Sequence, residues 1–208
     1  MSRCRGFTLV ELLVVVAIIA ILAALAIPNL LEAQVRAKAA AAKADLRTID
    51  AALEAYAVDW TDYPPNDGRY NEIPCELTTP LAYLTSARLV DPFARQVRRR
   101  LTMSMATSPL YTYTRIVTLD EAIFWASHGK LAPREAIDHW TRNEGALDKY
   151  GKWRLVSVGP DRVYLDLRFP PPLRGSDIPY DPTNGSVSFG NILRTQKSPE
   201  GRVPGLGI

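Results

Sequence analysis

The chain is poor in the residues on which disulfide and metal chemistry depend. Its 208 residues include two cysteines and two histidines. Cys4 lies in a short basic segment that we expect to be removed, and the remaining Cys75 cannot form a disulfide within one chain. We therefore expect the fold to be held by its core, or by a metal, rather than by a disulfide. Two histidines are too few for most metal chemistry.

The chain also lacks a strong charge of either sign. The formal net charge is +3, and removal of residues 1–6, with their two arginines, would leave 23 basic and 22 acidic side chains. Such a balance makes no case for a nucleic-acid or polyanion partner. We interpret the basic run Arg98-Arg99-Arg100 as a solvated loop or a subunit contact.

Catalytic motifs are missing as well. The sequence has no G-x-S-x-G motif and no glycine-rich phosphate loop. His139 stands beside Trp140, and we interpret it as a packing or surface residue. We therefore expect no enzymatic activity and assign no catalytic residue.

The chain does have one long apolar run near its N-terminus. From Phe7 to Ile27 the single ionisable side chain is Glu11. A helix of this length is roughly 30 Å long, enough to cross a bilayer. A charge at membrane depth costs roughly 2.5–3.5 kcal/mol, so Glu11 indicates a function. Arg3 and Arg5 precede the run, which predicts a cytoplasmic N-terminus and an exported remainder.

The segment Gly6-Phe7-Thr8-Leu9-Val10-Glu11 resembles the processing site of type IV prepilins and of type II secretion pseudopilins, major pseudopilins above all. The resemblance implies that prepilin peptidase, a membrane aspartyl protease, cuts after Gly6 and N-methylates Phe7. It implies that Glu11 pairs with the terminal amine of a neighbouring subunit in a homo-oligomeric filament. It also implies an inner-membrane assembly platform and minor pseudopilins as partners.

Several alternatives stay open at this point. Ala24-Leu25-Ala26 offers the cleavage pattern of a secretory signal peptide, and a plain membrane anchor is also compatible with the apolar run. Neither gains anything from Glu11. Within the pilin family the chain could be an adhesion pilin or a DNA-uptake pilin using Arg95 and the basic run after it. A membrane-anchored periplasmic binding module is the alternative from another class.

The helical pattern continues beyond the membrane segment. Pro28 should kink the helix or loosen it locally. The alanine-rich stretch 33–44 favours a helix, and Leu46, Ile49, Leu53 and Tyr56 then recur at three- and four-residue steps. We therefore expect one helix over about residues 7–59. Four regions follow: a leader (1–6), a transmembrane half-helix (7–27), an amphipathic half-helix (28–60) and a periplasmic globular domain (61–208).

The globular domain shows strand signals after residue 109. Residues 110–117 and 153–158 are rich in aromatic and β-branched side chains, and 163–167 and 187–189 are weaker candidates. Short helices are predicted at 77–84, entered through Thr79 and Pro80, and within 118–140. The expected fold class is α+β: a long N-terminal helix packed on an antiparallel sheet of three or four strands. The resemblance implies the same pilin-like architecture.

One candidate metal site lies in the C-terminal loops. Calcium binds six to eight oxygen ligands, mostly carboxylates, amides and carbonyls. Major pseudopilins bind calcium in a C-terminal loop, and the resemblance extends that expectation to the oxygen donors Asp161, Asp166, Asp181 and Asn184. The alternative is that these side chains only close turns by accepting hydrogen bonds from their own backbone.

Overall fold

A long helix and a small sheet make up the described structure. The computed structural model describes residues 8–65, 72–94, 110–118, 147, 150–161, 179–181, 183 and 190–199. In chain order the elements are the helix α1 (Leu9–Trp60), a 3-10 helix (Cys75–Leu77) and the strands β1 (Thr112–Arg115), β2 (Trp153–Ser157) and β3 (Ile192–Thr195).

The helix α1 is continuous over 52 residues, which corresponds to a length of about 78 Å. It ends at Trp60 because Thr61 adopts a left-handed conformation, with φ of 60°. Tyr63 and the two prolines after it then lead the chain away. The prediction of a single helix over about residues 7–59 is confirmed.

The three strands form one antiparallel sheet in the order β1-β2-β3. Tyr113 of β1 lies opposite Leu155 of β2, and Leu155 in turn lies opposite Arg194 of β3. Every residue of the central strand β2 is buried. The sheet and the long helix confirm the α+β class and the strands predicted at 110–117 and 153–158.

The core lies between the second half of α1 and the sheet. Leu46, Ile49 and Leu53 are buried on the helix, as the spacing predicts, and Trp153 and Leu155 are buried on β2. Burying a side chain of this size stabilises a fold by about 1.5–3 kcal/mol. The fourth residue of the predicted stripe, Tyr56, is only partly buried, and its ring packs against Trp60 and Tyr83.

Strand β1 holds the turn that follows the helix. Arg115 is buried and donates hydrogen bonds to the carbonyl of Tyr63 (2.8 Å) and to Asp62 Oδ2 (2.6 Å). The hydroxyl of Tyr113 donates to the carbonyl of Pro64 at 2.9 Å. These bonds pair backbone carbonyls of the turn after the helix, which have no partner in a helix or a sheet.

The short helix predicted over residues 77–84 is wrong. A 3-10 helix occupies Cys75–Leu77, and the chain then turns back, so that the amides of Tyr83 and Leu84 both donate to the carbonyl of Leu77 at 2.9 Å. Leu77 and Leu84 are both buried by this turn. Packing of these two side chains outweighs the local helix signal from Pro80.

Strand β3 was not predicted from the sequence. It pairs with β2 along its whole length, with Arg154 opposite Thr195 and Ser157 opposite Ile192. The predicted strands at 163–167 and 187–189 lie outside the described residues, as do the predicted helices of the 118–140 region beyond Thr118.

Candidate functional site

The helix α1 begins in a closed hydrogen-bonded arrangement between Thr8 and Glu11. Thr8 is the N-cap residue, and its Oγ1 accepts from the Glu11 amide at 3.3 Å. Glu11 Oε2 accepts from the Thr8 amide at 2.9 Å and from the Thr8 hydroxyl at 2.8 Å. This capping box satisfies donors that the first helical turn would leave unpaired. It fixes the Glu11 carboxylate at the N-terminus of the helix.

Gly6 and Phe7 lie outside the described residues. Cleavage after Gly6 and methylation of Phe7 therefore stay predictions. Thr8, the second residue after the predicted cut, has an extended backbone, with φ of −86° and ψ of 152°, and the helix starts at the next residue, Leu9.

The first half of α1 exposes apolar side chains on every side. From Leu9 to Leu31 its large aliphatic side chains are between 45 and 78 % exposed. Within the part of the chain that the structure describes, α1 is the one helix long and apolar enough to cross a membrane. The rest of the described chain does not cover these side chains, and exposed apolar surface of this extent is typical of a segment that contacts a bilayer or other protein chains.

Pro28 lies inside α1, and the helix continues on both sides of it. A proline has no amide hydrogen, so the carbonyl of Ala24 loses its helical donor. The expectation that Pro28 kinks the helix or loosens it locally stays a prediction.

The second half of α1 is fastened to the sheet by three carboxylates. Asp45 Oδ2 accepts from the hydroxyl of Tyr111 at 2.7 Å, next to β1. Asp50 Oδ2 accepts from Arg194 Nε at 2.6 Å, on β3. The third carboxylate, Glu54, accepts from the indole nitrogen of β2 residue Trp153 at 3.1 Å. Each strand region is thus tied to a different turn of the helix.

These carboxylates lie off the apolar stripe, and no role was predicted for them from the sequence. Glu54 also accepts from the hydroxyl of Tyr63, at 3.0 Å to each carboxylate oxygen, and Gln196 donates to that hydroxyl at 2.8 Å. Burial and the hydrogen bond to Glu54 raise the pKa of Tyr63 to about 12. The Tyr63 hydroxyl is therefore a neutral donor throughout the physiological pH range.

Two of the four predicted calcium ligands are described: Asp181 closes a local turn, whereas Asp161 contacts a residue 29 positions along the chain. Asp161 Oδ2 accepts from the amide of Gly190 at 3.3 Å. Asp181 Oδ1 accepts from the amide and the hydroxyl of Thr183, at 2.8 and 2.7 Å, and these bonds lower the pKa of Asp181. Asp166 and Asn184 lie outside the described residues. The contact of Asp181 is of the kind that the turn interpretation describes and that of Asp161 is not, and calcium binding stays a prediction.

The structure brings together no metal-binding cluster within the ranges it describes. No group of three or more histidine, cysteine, aspartate or glutamate side chains occurs there in a geometry that could hold an ion. His128, His139 and the basic residues 95–100 lie outside those ranges. Cys75 is exposed and forms no disulfide within the described residues.

Comparison with known proteins points to the same end of the chain as the capping box. Residues 1–27 match the family model described as the prokaryotic N-terminal methylation motif. Over 59 residues the chain is 48 % identical to type II secretion system core protein G of Pseudomonas aeruginosa, which covers 28 % of this chain and 42 % of that protein. Over 54 residues it is 52 % identical to type IV major pilin protein PilA of Myxococcus xanthus, covering 26 % of this chain and 24 % of the pilin.

A longer match is weaker. Over 95 residues the chain is 35 % identical to type II secretion system core protein G of Klebsiella pneumoniae, covering 46 % of this chain and 60 % of that protein. The matches therefore span less than two thirds of these relatives. No solved structure matches the chain. The resemblance predicted from Gly6 to Glu11 is confirmed: the N-terminal segment carries the methylation motif of prepilins, in a chain similar to type II secretion core protein G and to type IV major pilins.

Proposed function

We propose that this chain is a structural subunit of a type II secretion pseudopilus or of a type IV pilus-like filament, and not an enzyme. Prepilin peptidase cuts it after Gly6 and methylates Phe7, and the subunits assemble through α1. The observation that carries the proposal is the exposed apolar half of α1, which begins at a single carboxylate and continues without a break into a half that packs on the sheet.

Because its first half is apolar and exposed, α1 should pack outside the membrane against the α1 helices of other subunits. Each fully exposed leucine, isoleucine or valine side chain that enters water costs about 1.5–3 kcal/mol relative to burial. A single subunit that left the bilayer without neighbours would expose all of these apolar side chains to water, at this free-energy cost for each. Packing against the same segment of neighbouring subunits replaces the lipid with protein, so extraction and assembly are coupled.

Glu11 has a carboxylate oxygen with which a positively charged group of a neighbouring subunit could form an ion pair. Both of its bonds to Thr8 end at Oε2, and Oε1 has no hydrogen bond from the described residues. The proposal assigns Oε1 to the methylated amine of Phe7 in the adjacent subunit. An ion pair gains strength where water is excluded, and it would fix the axial register of two otherwise featureless apolar helices.

The topology of the proposal follows from charge. Arg3 and Arg5 precede the apolar half of α1, and by the positive-inside rule they support a cytoplasmic N-terminus and a periplasmic globular domain. The inner-membrane assembly platform and minor pseudopilins are the partners proposed for this arrangement.

Among filament classes we favour a pseudopilus of the major type. The single cysteine left after cleavage, Cys75, excludes the intramolecular disulfide that many surface pilins use to tie their C-terminal loop. The near-neutral charge of the processed chain gives no support to a DNA-uptake pilin. Secretion core protein G of several bacteria is among the relatives, and so are type IV pilins, so the class is tested by function.

The intact mass of the protein co-expressed with prepilin peptidase tests the proposal. We expect a mass that lacks residues 1–6 and carries one extra methyl group. Substitution Glu11→Ala should leave this processing largely intact and abolish filaments. A chain cut after Ala26, or an uncut chain, would mean an ordinary exported or anchored protein. Normal filaments from the processed Glu11→Ala protein would remove the role assigned to Glu11.

A further inference from the structure

The C-terminal end of α1 exposes a tryptophan whose ring is held in place. Trp60 is the last residue of the helix and is 50 % exposed. The ring of Tyr56, one turn earlier, stacks on it with 5.8 Å between the ring centroids and an angle of 18° between the ring planes. Because Tyr56 covers one face of the indole, the exposed half of Trp60 includes the opposite face. We call the rings of Tyr56, Trp60 and Tyr83 the aromatic platform.

A second segment of the chain fixes the aromatic platform. The ring of Tyr83 meets that of Tyr56 edge-on, with 5.6 Å between the centroids. The Tyr83 hydroxyl donates to Asp59 Oδ2 at 2.6 Å and is also hydrogen-bonded to the side chain of Trp60. The three rings are thus held by contacts between α1 and the segment 72–94. A surface that is already ordered loses little conformational entropy when a ligand binds to it.

Carboxylates surround the aromatic platform, and two of them have no counter-ion. Asp62 is paired with Arg115 at 2.6 Å, whereas Asp59 and Glu76 form no ion pair among the described residues. The hydrogen bond that Asp59 accepts comes from a neutral hydroxyl and leaves its charge in place. Burial raises the pKa of Tyr56, and the charges of Glu76 and Asp62 raise it further. The aromatic platform therefore lies in a negative electrostatic field.

The helix itself adds to this field. The C-terminus of an α-helix carries a partial charge of about −0.5, so that basic side chains are favourable in its last turn. The last turn of α1 has no basic residue, and it contains Asp59. Arg115 neutralises Asp62, but Asp59 stays without a cation. A positively charged group beside Trp60 is therefore favoured both by the helix end and by the two unpaired carboxylates.

The aromatic platform is too far from the membrane to act as an interfacial anchor, a common role of tryptophan and tyrosine. Trp60 lies about 43 Å beyond Leu31 along α1. With a helix tilt of 40° the distance along the membrane normal would still be about 33 Å. The headgroup layer on each side of a bilayer is only about 5–8 Å thick. A ligand of this surface must therefore come from the aqueous compartment of the globular domain.

The guanidinium group of arginine matches this surface in shape and in charge. It is planar, stacks on aromatic faces and can donate two parallel hydrogen bonds to one carboxylate. We propose that the aromatic platform, with Asp59 and Glu76, docks an arginine-bearing segment of another protein. The arginine stacks on the exposed face of Trp60 and pairs with Asp59, and Glu76 adds to the attraction. This binding goes beyond the filament function and does not depend on it.

A fluorine label on tryptophan tests the docking. The full-length chain, labelled with fluorotryptophan in a non-ionic detergent, should give one fluorine NMR signal for each of its four tryptophans. The signal that disappears in Trp60→Leu belongs to Trp60. The probe is a synthetic glycine peptide with two arginines, and its control is the same peptide with citrulline, a neutral isostere, at both positions. We expect the arginine peptide to shift the Trp60 signal and to bind at least about threefold more tightly than the citrulline peptide. The signal of the buried Trp153 should stay in place.

Removal of the two carboxylate charges tests their part in the docking. Asp59→Asn keeps the oxygen that accepts from Tyr83, and combined with Glu76→Gln it should weaken binding of the arginine peptide by about threefold to tenfold. The matched control, Glu32→Gln with Asp45→Asn, removes the same charge elsewhere on α1 and should bind as the wild type does. Trp60→Leu should lose the preference for arginine over citrulline, measured by calorimetry. Thermal unfolding in detergent verifies that each variant is folded.

Four results would overturn the proposal. Equal affinities for the two peptides, or no binding at millimolar concentration, would mean that the aromatic platform does not recognise the cation. Unchanged affinity in Asp59→Asn/Glu76→Gln would remove the carboxylates from the site. A Trp60 signal that shifts when the chain assembles, and not with the peptide, would assign the surface to a second copy of the chain. Because binding is measured on the unassembled chain, a failure of the filament function would leave these results unaffected.

Discussion

The two halves of α1 form one continuous helix, but their side chains suit two different surroundings. Between Leu9 and Leu31 the large side chains are exposed and the sole carboxylate sits at the helix start. From Ala39 to Leu53 one face is buried against the sheet, and carboxylates beside that face bind strand side chains. The apolar side chains of the first half can be buried only by lipid or by other chains, whereas those of the second half are buried within their own chain.

A matched pair of isoleucines gives the largest test of this difference. Ile49 is fully buried and Ile19 is 59 % exposed on the same helix. We expect Ile49→Ala to lower the free energy of unfolding of the globular domain by about 2–5 kcal/mol, because it opens a cavity between α1 and the sheet. Ile19→Ala should change it by less than about 0.5 kcal/mol. Denaturant unfolding of the full-length chain in detergent measures both.

The filament yield of the two variants should show the reverse order once protein amounts are matched. Ile19→Ala removes packing between subunits, whereas folded Ile49→Ala protein retains its apolar half-helix. Equal losses of domain stability in the two variants would mean that the first half of α1 packs on the globular domain, and the division into two halves would be wrong.

A pair of glutamates gives the next largest effect. Glu54 accepts from Trp153 and Tyr63, so Glu54→Ala leaves a fully buried indole without its acceptor. We expect a loss of about 1–3 kcal/mol in the free energy of unfolding. Glu11→Ala should leave domain unfolding unchanged, since Glu11 bonds only Thr8 among the described residues. A large effect of Glu11→Ala on domain unfolding would contradict this separation of roles.

Whether a structural feature could be predicted from the sequence depends on how close in the chain the interacting residues are. The bounds of α1 and the identity of Glu11 follow from features within one helix: spacing, alanine content and a lone charge in an apolar run. The capping role of Thr8 was also readable from its spacing to Glu11, although it was not used. The bond between Asp45 and Tyr111 joins residues 66 positions apart, and that between Asp50 and Arg194 spans 144 positions. No local pattern specifies such pairs.

Strand β3 shows the same limit. It is four residues long, and Arg194 interrupts its apolar character. It becomes a strand because β2 offers a free edge and because Asp50 accepts the Arg194 guanidinium, and both conditions are set by the tertiary fold. The turn at residues 77–84 was misjudged for a related reason, since burial of Leu84 decides its course.

The hydrogen bond between Tyr63 and Glu54 of α1 predicts that the folded protein loses stability at alkaline pH. The pKa of Tyr63 is raised from 10.0 to about 12, first by burial and then by Glu54. A group with a raised folded-state pKa contributes stability that is fully present below its unfolded pKa and is lost as pH rises through the folded one. The free energy of unfolding should therefore fall between about pH 10 and 12.

Tyr63→Phe should make that fall shallower without removing it. Tyr111 and Tyr113 also have raised pKa values, chiefly through burial, and they titrate in the same direction. Denaturant unfolding at a series of pH values, for the wild type and for Tyr63→Phe, measures the slope. Identical slopes in the two proteins would show that the Tyr63 hydroxyl does not couple folding to pH.

The smallest expected effect concerns carboxylates outside α1. Glu54 and Asp50 hold distant strands and Asp161 bonds the distant Gly190 amide, whereas the side chain of Asp181 accepts hydrogen bonds from Thr183, two residues away. If closing turns is all that the loop carboxylates do, the thermal midpoint of the full-length chain should be the same in calcium and in chelator. Asp181→Asn, which keeps the acceptor oxygen, should cost less than about 1 kcal/mol. A midpoint that rises with calcium and no longer does so in Asp181→Asn would instead make Asp181 a ligand, and would place the stability of the C-terminal loops under the control of the ion.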